Sequence, residues 1–288
     1  LPILLTVREG EYEIPYDSKL SAVEARHLTN KGDYFLGVSV FSKAYYSIWK
    51  DFGLVDKSVL IHMSAGDSLR MYELDLDQRK VYNFAIHSND SSAIITGTWG
   101  DEDSKGAKGV FHASFSVASK QLATPHFMEF PKEILEQENA NSDDIYNYQN
   151  VDGELLNYAF RNILLLPDGS FTVLAEQYYI YEVNSTDSRG MSQVTNYYNY
   201  NDCIVYSISA SGEFNWFKKI NKKQESVNDF GQYSSLISYV SEGNLVIFFN
   251  DNAQNYDLLG AYKGSRISFS NSLRYKDYCL ARVQLDLS

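Results

Sequence analysis

One pattern constrains this chain more than any other: a pair of hairpins that returns in phase along its length. The clearest copy spans 158–220. An apolar run from Tyr158 to Leu166 meets the turn Pro167-Asp168-Gly169-Ser170 and continues from Phe171 to Ala175. After a polar stretch come Cys203 to Ile208, the turn Ala210-Ser211-Gly212-Glu213, and Phe214 to Ile220. Apolar runs of strand length between turn residues predict β-hairpins. The first hairpin returns around Ser241-Glu242-Gly243-Asn244, around Asn89-Asp90-Ser91-Ser92 and around Asn30-Lys31-Gly32-Asp33. The second returns at Val59 to Leu76 and at Val110 to Phe130, and in part at Ile3 to Tyr16 and Cys279 to Leu287.

With Asp33, Ser92, Ser170 and Asn244 taken as equivalent, the copies lie 59, 78 and 74 residues apart. Four antiparallel strands per copy describe a β-propeller blade, and loop insertions explain the long period. The predicted fold is therefore all-β: a propeller or partial propeller of about four to five four-stranded antiparallel blades. It is read as one domain over 1–288, with repeats near 20–78, 79–132, 153–222 and 228–288, while 1–17 supply strands of a preceding or closing blade. The 23 Tyr and 16 Phe favour strands. Buried positions are expected at Leu36, Val38, Ile95, Val173, Val246 and Phe248 in the second strands, and at Ile204 and Leu280 in the third. Cys203 and Cys279 open equivalent strands, too far apart to pair, so both are expected as free thiols.

The run from Asn201 to Trp216, continuing through Lys218-Lys219-Ile220, carries a resemblance together with Tyr233-Ser234-Ser235 and Leu245 to Asn252. These segments resemble the propeller-type repeats of uncharacterised secreted proteins of Gram-negative bacteria. The resemblance implies a secreted, periplasmic or outer-surface repeat protein, and it brings no catalytic residues with it. The chain begins Leu1-Pro2-Ile3 without an initiator Met, so it is expected to be a processed or trimmed product.

Charge narrows the partners. Asp plus Glu number 37 against 25 Lys plus Arg, a net charge of −12. Such a surface repels phosphate backbones, which argues against nucleic acid. No run reaches the roughly 18 apolar residues of a membrane span. The long insertions 42–57, 100–109, 131–157, 176–202, 221–232 and 250–278 all fall on one face of the repeats, the usual place of a binding surface. Insertion 176–202 is read as a loop carrying Tyr178, Tyr179, Tyr181, Tyr197, Tyr198 and Tyr200 among Asn and Ser. Rigid plates with polar tips suit sugars or polar peptides.

Catalytic motifs are sparse. The five His lack metal-ligand spacing, and no phosphate loop or nucleophile elbow occurs. Ser209 to Trp216 only faintly matches a sialidase Asp-box, lacking the Asp and placing the Trp one position late. Asp101-Glu102-Asp103, and Asn250-Asp251-Asn252 with Asp257, are oxygen-rich enough for Ca²⁺ but are read as solvated loops. No cofactor or metal is implied. Loop carboxylates that a glycosidase would need are Asp101, Glu102, Asp103, Glu176, Asp251 and Asp257. The expected function is a non-catalytic module binding polysaccharide or a protein partner through the long-loop face, with Tyr178, Tyr179, Tyr181, Tyr197, Tyr198 and Tyr200 as ligand contacts. The alternatives are a carbohydrate-active hydrolase or lyase using loop carboxylates, and a structural envelope protein.

Overall fold

The computed structural model describes residues 14–17, 20–41, 55–64, 69–101, 104, 106–139, 154–186, 189–270 and 277–287. The chain is nearly all-β and forms antiparallel meanders that follow one another in sequence. The first meander joins β1 (Ser21–Leu28), β2 (Tyr34–Phe41), β3 (Val55–Met63) and β4 (Arg70–Glu73). The second joins β5 (Lys80–Ser88), β6 (Ser92–Gly100), β7 (Gly109–Ser116) and β8 (Gln121–Leu122). There follow β9 (His126–Glu129) and a short helix α1 (Lys132–Asn139), which starts directly after Pro131. The Pro131 carbonyl accepts from the Ile134 and Leu135 amides and so closes the first turn.

The third meander joins β10 (Tyr158–Leu165), β11 (Phe171–Thr186), β12 (Ser192–Ile208) and β13 (Phe214–Ile220), and β14 (Gln224–Val227) also pairs with β12. The last joins β15 (Leu236–Ser241), β16 (Asn244–Asn252) and β17 (Tyr278–Asp286). These are propeller-type blades in consecutive order. The chain divides into two compact units, 1–102 with 111–125, and 103–110 with 126–288.

The repeat is visible in detail. In the first, second and third meanders the opening strand slips register between Val23 and Ala25, Val81 and Asn83, and Phe160 and Asn162. Each slip leaves one extra residue (Glu24, Tyr82, Arg161), a β-bulge that re-aims a side chain and tightens the twist. The hairpin turns repeat as well. Gly32 and Gly169 occupy φ +88°, where a Cβ would be strained, and their amides bond Thr29 O and Leu166 O.

The inner strands β2, β6, β11 and β12 are buried over continuous runs, whereas outer strands such as β17 alternate. In the first unit Leu36, Val38, Val59 and Ile61 pack together. In the second, Leu174, Cys203, Val205, Leu245, Ile247 and Phe249 fill the space between the third and fourth meanders. Of the expected core residues, Leu36, Val38, Ile95, Val173, Ile204 and Val246 are buried, and Phe248 is half-buried. Leu280 is a correction: it is 65% exposed, because β17 ends its sheet among the described residues and Leu280 falls on its outward face. Cys203 and Cys279 are free thiols.

Candidate functional site

The Tyr-rich stretch 176–202 is not a loop, which corrects the sequence reading. β11 and β12 run on through it as a ribbon paired from Phe171↔Ile208 to Thr186↔Ser192. Tyr, Ile, Val and Thr favour extended backbone, and the register of the two strands brings aromatic residues directly opposite one another. Tyr181 stacks on Tyr197 with ring centroids 4.7 Å apart and planes 3° apart, and Tyr178 tilts against Tyr200 at 4.6 Å. The ribbon therefore presents two faces. Tyr179, Tyr181 and Tyr197 share one, where Tyr181 Oη donates to Glu225. Tyr178 and Tyr200 share the other, and buried Tyr198 packs 5.8 Å from Phe230.

A cluster of charges lies where that second face enters the meander. Its carboxylates come from Glu176 on β11, Asp202 on β12 and Asp251 on β16, all buried. A register slip between Glu176 and Tyr178 sits beside it. On β10 the bulged residue is Arg161, whose Nε donates to Glu176 Oε2 at 2.7 Å while its guanidinium lies 5.6 and 5.8 Å from the Tyr178 and Tyr200 rings. Bulges of this kind recur beside functional sites.

Lys222 carries the cluster inward. Its side chain is fully buried, and Nζ reaches Glu176 Oε1 at 2.7 Å, Tyr200 O at 2.7 Å and Gln224 Oε1 at 2.9 Å. The ammonium thus has two hydrogen-bond acceptors and one carboxylate as ion-pair partner, which offsets the cost of burying a cation. The Lys222 amide donates to Asp202 Oδ1, and Asp202 Oδ2 lies 3.0 Å from Lys219 Nζ and 2.8 Å from Arg266 Nη2. Ser235 Oγ also donates to Glu176, and Gln224 Nε2 ties the assembly to Asn250 O. Gly231, at φ +70°, lets the Tyr200 ring lie on its backbone; a Cβ there would come 2.5 Å from Tyr200 Cε2.

Asp251 has a different environment. Its Oδ1 accepts from the Asn252 amide and Asn255 Nδ2, and its Oδ2 accepts from Tyr256 Oη at 2.7 Å. Burial raises its pKa above the usual carboxylate range, against the lowering effect of these neutral donors and of Lys222. Burial likewise pushes Tyr200 up to about 12.

Of the loop carboxylates read from sequence, Glu176 and Asp251 come into this cluster. Asp257 instead closes an exposed turn by accepting from the Leu259 and Ala261 amides. Asp101 is an exposed residue of the first unit, and Glu102 and Asp103 lie outside the described residues. Asp202 and the four cations escaped the sequence reading. A weak signal existed, since Lys218-Lys219 and Lys222-Lys223 are an unusual density of charge in an acidic chain. Among the described residues no three His, Cys, Asp or Glu are placed to hold a metal ion. No helix among them is long and apolar enough to cross a membrane.

No known sequence family and no curated protein sequence matches the chain. Among solved structures it is similar to the β-xylosidase RS223, at 9% identity and a TM-score of 0.38, covering 81% of this chain and 71% of that one. It is also similar to the GH43_1 enzyme from Xanthomonas citri complexed with xylotriose, at 7% identity and a TM-score of 0.39, covering 81% and 67%. The Trypanosoma rangeli sialidase in complex with sialic acid follows at 9% identity and 0.31, covering 82% and 44%. The expectation of a non-catalytic binding module is corrected by these findings: the similar structures are carbohydrate-active enzymes.

Proposed function

We propose that the second unit is the centre of a carbohydrate-active hydrolase or lyase, worked by Glu176, Asp202 and Asp251, with Tyr178 and Tyr200 as its sugar platform. One observation carries this reading. Three carboxylates from neighbouring strands share a site in which their environments are pushed apart. Glu176 touches Arg161 and Lys222, and Asp202 touches Lys219 and Arg266, so both have cations against their negative charge. Asp251 is surrounded by neutral donors and is raised by burial. Carboxylates with divergent environments are what glycoside hydrolysis divides into a proton donor and an ionised partner. Asp251 is the proton donor in this reading, and the Tyr178–Tyr200 pair stacks the sugar ring beside Glu176.

The test is turnover by the purified chain on xylohexaose, hexagalacturonate and a sulfated galactan, read by new reducing ends and by the ultraviolet absorbance of an unsaturated product. Reducing ends without that absorbance mark a hydrolase, and both together mark a lyase. Asp251→Asn keeps the shape and should lower turnover about a hundredfold or more while the fold is retained. Turnover of none of these substrates, or an unimpaired Asp251→Asn protein, would overturn the reading.

A further inference from the structure

Two short turns of the second unit hold apolar side chains in solvent at one end of the last sheet. Leu236, which opens β15, pairs with Phe249 near the end of β16, so the chain entering β15 and the chain leaving β16 share that end. The entering turn carries Phe230, which is 82% exposed. The leaving segment, 256–262, is a small hairpin whose tip carries Leu258 and Leu259, 105% and 95% exposed. Keeping two adjacent leucines wholly in water forgoes the stabilisation that covering them would bring.

The hairpin is built to keep them there. Tyr256 and Tyr262 bridge its base, with ring centroids 5.8 Å apart. Asp257 Oδ1 accepts from the Leu259 and Ala261 amides, the Gly260 amide donates to Asp257 O, and the Asp257 amide donates to Ala261 O. Behind the base, buried Asn255 clamps the hairpin to the fold. Its carbonyl accepts from the Lys263 amide, and its side chain bonds both the carbonyl and the amide of Ile267. The Phe230 turn is held by Asp229 Oδ1, which accepts from the Gly231 amide. A tip ordered in advance has little conformational entropy left to lose when it is covered.

The form of the tip selects what covers it. A protein interface needs a broad patch packed to interior density, and two side chains on a narrow convex turn do not supply one. A bilayer accepts a wedge of any shape. The amides of Asp257, Leu259, Gly260 and Ala261 already have acceptors inside the turn, which is what an apolar medium demands of backbone. The tyrosines stand about 7 Å behind the leucines, at roughly 3.3 Å per residue, so their polar tips fall at headgroup depth when the leucines reach the acyl boundary. Asp257 and Lys263 flank the tip with opposite charges, and the whole chain carries −12. Zwitterionic lipid suits that balance better than anionic lipid.

We propose that the 256–262 hairpin, together with Phe230 at the same end of the sheet, seats the protein on a zwitterionic lipid surface, with Leu258 and Leu259 entering the acyl boundary. The seat uses none of the residues of the carbohydrate-active reading and does not depend on it.

Flotation with vesicles of pure phosphatidylcholine tests the seat. The wild-type chain should float with them, and less well with vesicles of equal parts phosphatidylcholine and phosphatidylglycerol. In Leu258→Ser/Leu259→Ser the partition coefficient should fall about tenfold or more. Its melting temperature should not change, because both leucines stand clear of the fold. Should that variant fail to fold, Leu259→Trp is the second: brominated phosphatidylcholine should quench its fluorescence more than that of the wild type. A wild-type chain that stays unbound to phosphatidylcholine vesicles overturns the proposal. So does a folded double variant that floats as well as the wild type, or a Leu259→Trp protein quenched no more than the wild type. Binding that requires phosphatidylglycerol overturns it as well, because charge and not the leucines would then make the contact.

Discussion

Asp251 shows how one residue links stability to pH. Its carboxyl is raised by burial, with Tyr256, Asn252 and Asn255 donating to it. A carboxyl that is harder to ionise in the folded chain than in the unfolded one stabilises the fold at low pH. That contribution is lost as pH rises from the ordinary carboxylate value, about 4, through the raised one. Asp251→Asn cannot ionise and so removes this dependence. The difference in melting temperature between the variant and the wild type should therefore move in the variant's favour from pH 4 to pH 7. A difference that is flat across the range would show that Asp251 titrates as an ordinary surface carboxylate. The sequence had marked Asp251 as a candidate, but only for being acidic and near a loop. What sets it apart is a set of partners brought by the turn after β16, and residue type does not encode that.

At the scale of the element, the β11–β12 ribbon shows what patterning could and could not reveal. Each turn hairpin was legible because its information is local: Pro167-Asp168-Gly169-Ser170 names its own bend, and the Asp168 side chain accepts from Ser170 N–H as such turns require. The continuation of the strands beyond Glu176 was not legible, since Asn and Ser between the tyrosines mimic loop composition. Cross-strand contacts decide the matter, and they depend on a register that no single strand contains. The six tyrosines are consequently unequal. Tyr198 is buried against Phe230, so Tyr198→Ser should cost about 2 kcal/mol of apolar burial and lower the melting temperature by several degrees. Tyr200 is only half-buried beside Arg161 and Gly231, and Tyr200→Phe should hold the fold while changing saccharide affinity through its altered tip. Melting curves of the two variants, recorded together, test this division. Equal losses would mean that both rings are merely packing.

For the molecule as a whole, the repeat decides which distant residues become neighbours. The site was opaque in the sequence because it gathers residues from Arg161 to Arg266, across two meanders, through contacts such as Ser235 to Glu176. The first unit shows the same stacking in a simpler form. Residues about one repeat apart meet: Lys31 lies 3.8 Å from Asp90, and the rings of His27 on β1 and His87 on β5 have centroids 4.9 Å apart. Burial lowers the pKa of His87, with His27 adding a smaller effect of the same sign. A histidine that is harder to protonate in the fold contributes stability above its ordinary value, about 6.5, and loses it as pH falls through the lowered one. Protonating both rings would also set two cations against each other at contact distance. The first unit should therefore lose stability on mild acidification, below about pH 6, while His87→Gln should be less sensitive over the same range. The fluorescence of Trp99, a buried residue of that unit, can follow the transition in a background in which the other two tryptophans are replaced, Trp49→Phe with Trp216→Phe. If His87→Gln and its parent lose stability in parallel from pH 7 to pH 5, the histidine pair has no part in the acid response.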